Sequence, residues 1–200
     1  LDYIPLPAPY DGLTVPNPLK HYQQVLTTPR PVRVASIHGD LNLDNILIER
    51  ETGKVHLIDF AETRHDHVLH DLLRIEAETI TKLLAKVVSD RNLCLITIIL
   101  TLYQHHHEEL FETTPNSNQP SAPAVNEVWI MLSFVRRTAR RYLFDPDDVS
   151  EYYQGLFIYM LGYMKYKNLS AVPEAPIPKQ LAFWCAALAF MYMNKQEEQL

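Results

Sequence analysis

The chain has 200 residues, 47% hydrophobic and 21% charged, with a formal net charge of -6. That composition belongs to an ordinary folded domain and argues against disordered, collagen-like and coiled-coil classes. The acidic balance disfavours a dedicated nucleic-acid binder, because such a protein neutralises phosphates with clustered Lys and Arg. The longest apolar runs, Leu93 to Tyr103 and Leu181 to Met193, fall short of the ~20 residues that span a bilayer and predict buried helices, with no membrane partner. Cys94 and Cys185 lie in apolar runs without CxxC spacing. They are expected as buried free thiols in a reducing, cytoplasmic compartment.

Prolines 5, 7, 9, 16, 18, 29 and 31 crowd the opening. Because proline fixes φ and removes a donor, residues 1–31 are expected to form an extended connector, with a short helix at Pro18 to Leu26. Val32 to Ile37 predicts a short strand. Ile46 to Glu49 and Val55 to Ile58, with Gly53 between them, predict a hairpin. From Asp71 the period changes: Leu73, Ala77, Ile80, Leu84 and Val87 step by four and three, which predicts an amphipathic helix with Glu76, Lys82 and Lys86 off the stripe. A second helix is expected over Leu93 to Phe111, followed by a Pro- and Asn-containing loop at Thr113 to Ala124. Val128, Leu132, Val135, Ala139 and Tyr142 predict a third. Asp145 to Asp148 then offers a cap and first turn for a helix to about Lys165. Pro173, Pro176 and Pro178 precede a last helix near Gln180 to Asn194. The expected class is α+β, mainly α: a small β-hairpin unit and about five helices, with 32–76 carrying the chemistry and 77–200 the helical part.

The informative segment is His38-Gly39-Asp40-Leu41-Asn42-Leu43-Asp44-Asn45, followed by a strand and Leu57-Ile58-Asp59-Phe60. Asp40 and Asn45 are five apart, the spacing of the catalytic Asp and metal-binding Asn in the protein-kinase catalytic loop. Phosphoryl transfer needs an acceptor hydroxyl held in place and phosphate charge neutralised by metal. Asp40 is suited to accept the hydroxyl proton. Asn45 and Asp59 offer hard oxygen ligands for Mg²⁺.

With those residues in view, HGDLNLDNIL followed by LIDF resembles the catalytic core of the aminoglycoside phosphotransferase and choline kinase families, relatives of the protein kinases. The pattern is closest in flavour to the phosphotransferase-like domains of bacterial signalling and conflict proteins. The resemblance covers about Ser36 to Glu76. It implies a kinase-like C-terminal lobe that uses ATP and Mg²⁺, with Asp40 as catalytic base and Asn45 and Asp59 as magnesium ligands. By the same resemblance His38 is a scaffold residue packing near Phe60, and Asp71 bonds the loop from the start of a helix. The acceptor would be a hydroxyl of a small molecule or a protein. Neither a GxGxxG loop nor a strand lysine of the VAIK type occurs among the 200 residues. The chain, which opens on Leu1, is therefore expected to be cut from something longer, with an N-terminal lobe supplied in cis or in trans and little activity without it. The alternative is a catalytically degenerate kinase-like module that binds partners within a larger signalling protein.

Other clusters carry weaker expectations. His65, His67 and His70 suggest a zinc or iron site, although their place after Asp59-Phe60 favours a loop over the acceptor site. His105 to His107 are expected at a solvated helix end. Arg136, Arg137, Arg140 and Arg141 are expected as a basic arc opposite the Val128/Leu132 stripe, a possible anion-binding face.

Overall fold

In the computed structural model, which describes residues 1–111, 123–165 and 177–195, the proline-rich opening folds back on itself. Strand β1 (Tyr3–Pro5) pairs antiparallel with β2 (Thr14–Pro16), and helix α1 (Pro18–Thr27) follows. Asn17 caps α1 by accepting the Leu19 N–H at 3.1 Å, with Pro18 in the first turn. Leu6, Val15 and Val25 are buried in the main core. Residues 1–31 are thus packed structure rather than the extended connector expected. The reason lies in where the prolines fall: Pro5 and Pro16 end strands and Pro18 opens a helix, positions where a missing donor is tolerated.

Strand β3 (Val34–Ile37) pairs antiparallel with β6 (Arg64–His67), and β4 (Ile46–Ile48) with β5 (Val55–Leu57), so the expected hairpin is present. Gly53 supplies the positive φ of 69° in its turn. Helix α2 (His70–Glu78) runs through a π-helical segment, Thr79–Leu84, into α3 (Ala85–Asp90). Then come α4 (Leu95–Phe111), α5 (Pro123–Arg140), α6 (Ser150–Met164) and α7 (Ile177–Lys195). The architecture is α+β and mainly helical. No helix among the described residues is long and apolar enough to cross a membrane.

The core is helical. Helix α6 lies between α2 and α7, and Leu73, Ile80, Leu84, Leu132, Leu156, Phe157 and Met160 are buried there. A Cβ on Gly155 would press on the Leu73 side chain, so the glycine lets α6 approach α2 closely. Helix α6 begins later than the sequence suggests: 145–148 form a turn, and Asp148 Oδ1 accepts the Ser150 N–H at 2.8 Å and its hydroxyl. Pro178 sits inside the first turn of α7. Of the loop expected at Thr113 to Ala124, residues 113–122 lie outside the described residues, as do Pro173 and Pro176, while Pro123 and Ala124 already belong to α5.

Several polar expectations are corrected by this packing. Cys185 is buried, and burial pushes its thiol up to about 12, but Cys94 is exposed just before α4. His107 turns inward: its Nδ1 lies 3.0 Å from the Tyr153 hydroxyl, and His105 packs edge-on to Trp129. The His106 side chain lies outside the described residues.

The largest correction concerns Glu76 and Arg136. Their side chains are 0% and 1% exposed, paired through Arg136 Nη2 and Glu76 Oε1 at 2.7 Å, with Nε at 3.0 Å. Tyr152 donates to the other Glu76 oxygen. Burial works against the Arg136 charge, yet the Glu76 carboxylate outweighs it and holds the guanidinium above its ordinary value. The four arginines therefore do not share a solvent face. Arg137 and Arg141 are exposed, Arg140 is partly buried, and Arg136 is core.

Candidate functional site

The site is built on residues 38–45, the turn that carries the chain from β3 into β4. Gly39 has φ 84°, and a Cβ there would run into the Glu62 carbonyl oxygen and Arg64. Only glycine fits this crossing of the loop with the segment that enters β6. Asn42 closes the next turn by accepting the N–H groups of Asp44 (2.9 Å) and Asn45 (3.1 Å). Its own amide donates to the Asp40 carbonyl at 3.1 Å.

Asp40 and Asn45 meet directly. Asn45 Nδ2 donates to the Asp40 carbonyl at 2.9 Å and lies 3.4 Å from its carboxylate Oδ2. That orientation leaves the Asn45 Oδ1 without a donor among the described residues. The hairpin brings up Asp59, because the Ile58 N–H donates to the Asn45 carbonyl at 3.1 Å. Asp59 adopts φ 62°, ψ 61°, a left-handed conformation that aspartate tolerates better than most residues. Its exposed carboxylate has no hydrogen-bond or ion-pair partner among the described residues. Two uncommitted hard oxygens, one amide and one carboxylate, suit a magnesium ion that completes its shell with phosphate and water.

His38 and Phe60 tie the two halves together. Their rings lie 4.6 Å apart, and His38 Nε2, facing the Ile58 carbonyl at 2.8 Å, must be the protonated nitrogen. The loop's other support comes from α2. Asp71, in its first turn, accepts the N–H groups of His38 (2.7 Å) and Gly39 (3.0 Å). Two turns on, Glu78 accepts the Leu43 N–H at 2.9 Å and the Lys82 ammonium at 3.1 Å. Between them Arg74 reaches Asp40 itself, Nη2 to Oδ1 at 2.6 Å. Positions 71, 74, 78 and 82 are three or four apart, so they share one helix face. The sequence reading missed Arg74, Glu78 and Lys82, although their alternating charge at helical spacing was the signal available.

The histidines do not converge. His67 Nε2 lies 2.8 Å from Glu151. His70 Nε2 lies 3.2 Å from both the Gly39 carbonyl and Arg64 Nη2, and its Nδ1 lies 2.9 Å from the Tyr159 hydroxyl. Burial, with Arg64 close by, holds the His70 imidazole below its ordinary value. No cluster of three or more His, Cys, Asp or Glu suited to a metal occurs among the described residues. The zinc or iron expectation for His65, His67 and His70 is withdrawn on that geometry: two of the three are committed to separate structural partners. The four-arginine arc likewise contributes nothing here, since Arg136 is committed to Glu76.

The model of the ternary complex associated domain 9 family matches residues 7–165. The chain belongs to that family. The matched span runs from the turn after β1 through α6, so it takes in the whole loop, the hairpin and the α2 face that supports them, while α7 lies beyond it. No curated protein and no solved structure matches the chain significantly.

Proposed function

We propose that this ternary complex associated domain 9 chain is a kinase-like C-terminal lobe that transfers the γ-phosphoryl group of ATP to a hydroxyl of a small-molecule or protein acceptor. The observation that carries this reading is the Asn45 amide bonded to the Asp40 carbonyl at 2.9 Å, with β5 delivering Asp59 beside it through the Ile58 to Asn45 hydrogen bond. Asp40 accepts the proton of the acceptor hydroxyl. As the acceptor oxygen bonds to the γ-phosphorus, the bond from that phosphorus to its bridging oxygen breaks, ADP leaves, and the proton passes from Asp40 to solvent. Magnesium held by Asn45 Oδ1 and Asp59 would neutralise the phosphate charge. His38, Phe60 and Asp71 position the loop without touching reactants.

The remaining contacts to the nucleotide would come from an N-terminal lobe supplied in cis or in trans. In support, Ile48, Val55 and Leu57 leave apolar side chains exposed on one face of the hairpin. The same face keeps a second reading in play, a degenerate module that docks a partner there without catalysis. Phosphate transfer from labelled ATP separates the two. With the N-terminal lobe present, the enzyme reading expects turnover that Asp40→Asn lowers by ~10²–10⁴-fold and Asp59→Ala abolishes. Unchanged turnover in both variants would overturn the assigned roles.

A further inference from the structure

Along α2 and the π-helical turn that continues it, the side chains of Asp71, Arg74, Glu78 and Lys82 alternate in sign and address the loop. Three of them end on groups that take no part in the proposed chemistry: Asp71 and Glu78 on backbone N–H groups, Lys82 on Glu78 and the exposed Asp44. Arg74 alone ends on the proposed base. The ion pair brings Nη2 to 2.6 Å from Oδ1 and leaves the guanidinium underused, because Arg74 Nε is buried without an acceptor. The other Asp40 oxygen is held loosely, by the Asn42 and Asn45 amides at 3.3 and 3.4 Å. Oδ1 is therefore the better held oxygen, and an acceptor hydroxyl that uses it competes with Arg74. A guanidinium is also the side chain best matched to a phosphate, which it grips with two parallel N–H donors.

We propose that Arg74 is a phosphate-exchangeable latch. In the arrangement seen it closes on Asp40. The terminal phosphate of an incoming polyphosphate takes the guanidinium and clears Oδ1 for the acceptor hydroxyl, so the phosphate donor enters before the acceptor. This rests on the phosphotransferase reading and adds to it a phosphate-binding residue and an order of binding. Helix α2 makes the exchange cheap in structure, because Asp71 and Glu78 continue to hold the loop while Arg74 swings.

Titration of the chain with magnesium tripolyphosphate, followed by ³¹P NMR, tests the latch without any need for an adenine pocket. Arg74→Ala is expected to weaken binding about ten- to a hundredfold, the loss that follows removal of charged hydrogen bonds. Arg74→Lys falls between, since an ammonium lacks the fork. Asp40→Asn releases the arginine and tightens binding several-fold. In the Arg74→Ala background that tightening disappears. If Asp40→Asn tightens binding equally in both backgrounds, the effect is removal of a like charge and the latch is overturned. Should the wild type bind while neither Arg74 variant changes the affinity, the latch falls and the phosphotransferase reading stands. If neither magnesium tripolyphosphate nor Mg·ATP binds any variant even with the N-terminal lobe present, both fall. Where Arg74→Ala fails to fold, Arg74→Lys and Asp40→Asn decide.

Discussion

Two acid–arginine pairs in this molecule use similar chemistry in opposite settings. Glu76 and Arg136 meet in the helical core at 0% and 1% exposure, with Tyr152 on the second carboxylate oxygen. Asp40 and Arg74 meet at the loop at 31% and 24% exposure, with a single close contact and an unpaired Nε. In the core, desolvation makes each charge depend on the other, so neither partner can leave. At the loop, water and incoming anions compete for the arginine, and the pair can exchange. Burial decides which pair is architecture and which is available for function.

The sharpest way to break the comparison is to delete one member of the core pair. Arg136→Ala leaves Glu76 buried and unpaired, and chemical denaturation should show a loss of ~3–5 kcal/mol, whereas replacing Glu76 and Arg136 together with apolar residues of similar volume should cost far less. Equal losses for the single and double changes would mean that the pair contributes through packing alone. Next in size is Asp71→Ala, which removes the acceptor of two loop N–H groups. Native-state hydrogen exchange should then speed at His38 and Gly39 by about ten- to a hundredfold, with global stability falling by about 1.5–3 kcal/mol. Protection unchanged at both amides would show that the loop is held elsewhere. The smallest effect belongs to His70, whose imidazole burial holds below its ordinary value of 6.5. Its contribution is complete above that value and declines as pH falls through it toward the lower folded value, because the unfolded chain takes up the proton first. The melting temperature should therefore drop slightly more between about pH 7 and 5.5 in the wild type than in His70→Gln; parallel curves would remove His70 from the loop's pH response.

Much of this architecture was legible in the residues. The hairpin announced itself by two apolar runs around Gly53, and the helices by their stepping of three and four. The spacing of Asp40, Asn45 and Asp59 marked the segment that the fold gathers at one end of β4 and β5. What escaped was whatever depended on a partner distant in sequence. Strand β6 is written in Arg, His and Asp, and it is a strand because β3 offers it an edge. The opening prolines look like a connector until Val15 and Val25 find the core. Glu76 and Arg136 were read as surface from their charge alone. Yet 76 lies three after Leu73 and four before Ile80, and 136 four after Leu132 and three before Ala139, so their spacing already placed them on the apolar stripes. Arg74 was missed for a related reason: its meaning comes from Asp40, thirty-four positions earlier, and only the shared face of 71, 74, 78 and 82 hinted at it.

The central claim is that Asp40, Asn45 and Asp59 form one metal- and phosphate-handling centre. Paramagnetic relaxation by Mn²⁺ with ATP tests it most directly. The account predicts that the amide signals of Asp40, Asn45 and Asp59 broaden first, and that Asp59→Asn sharply reduces the effect. Broadening that begins elsewhere and survives that substitution would contradict it.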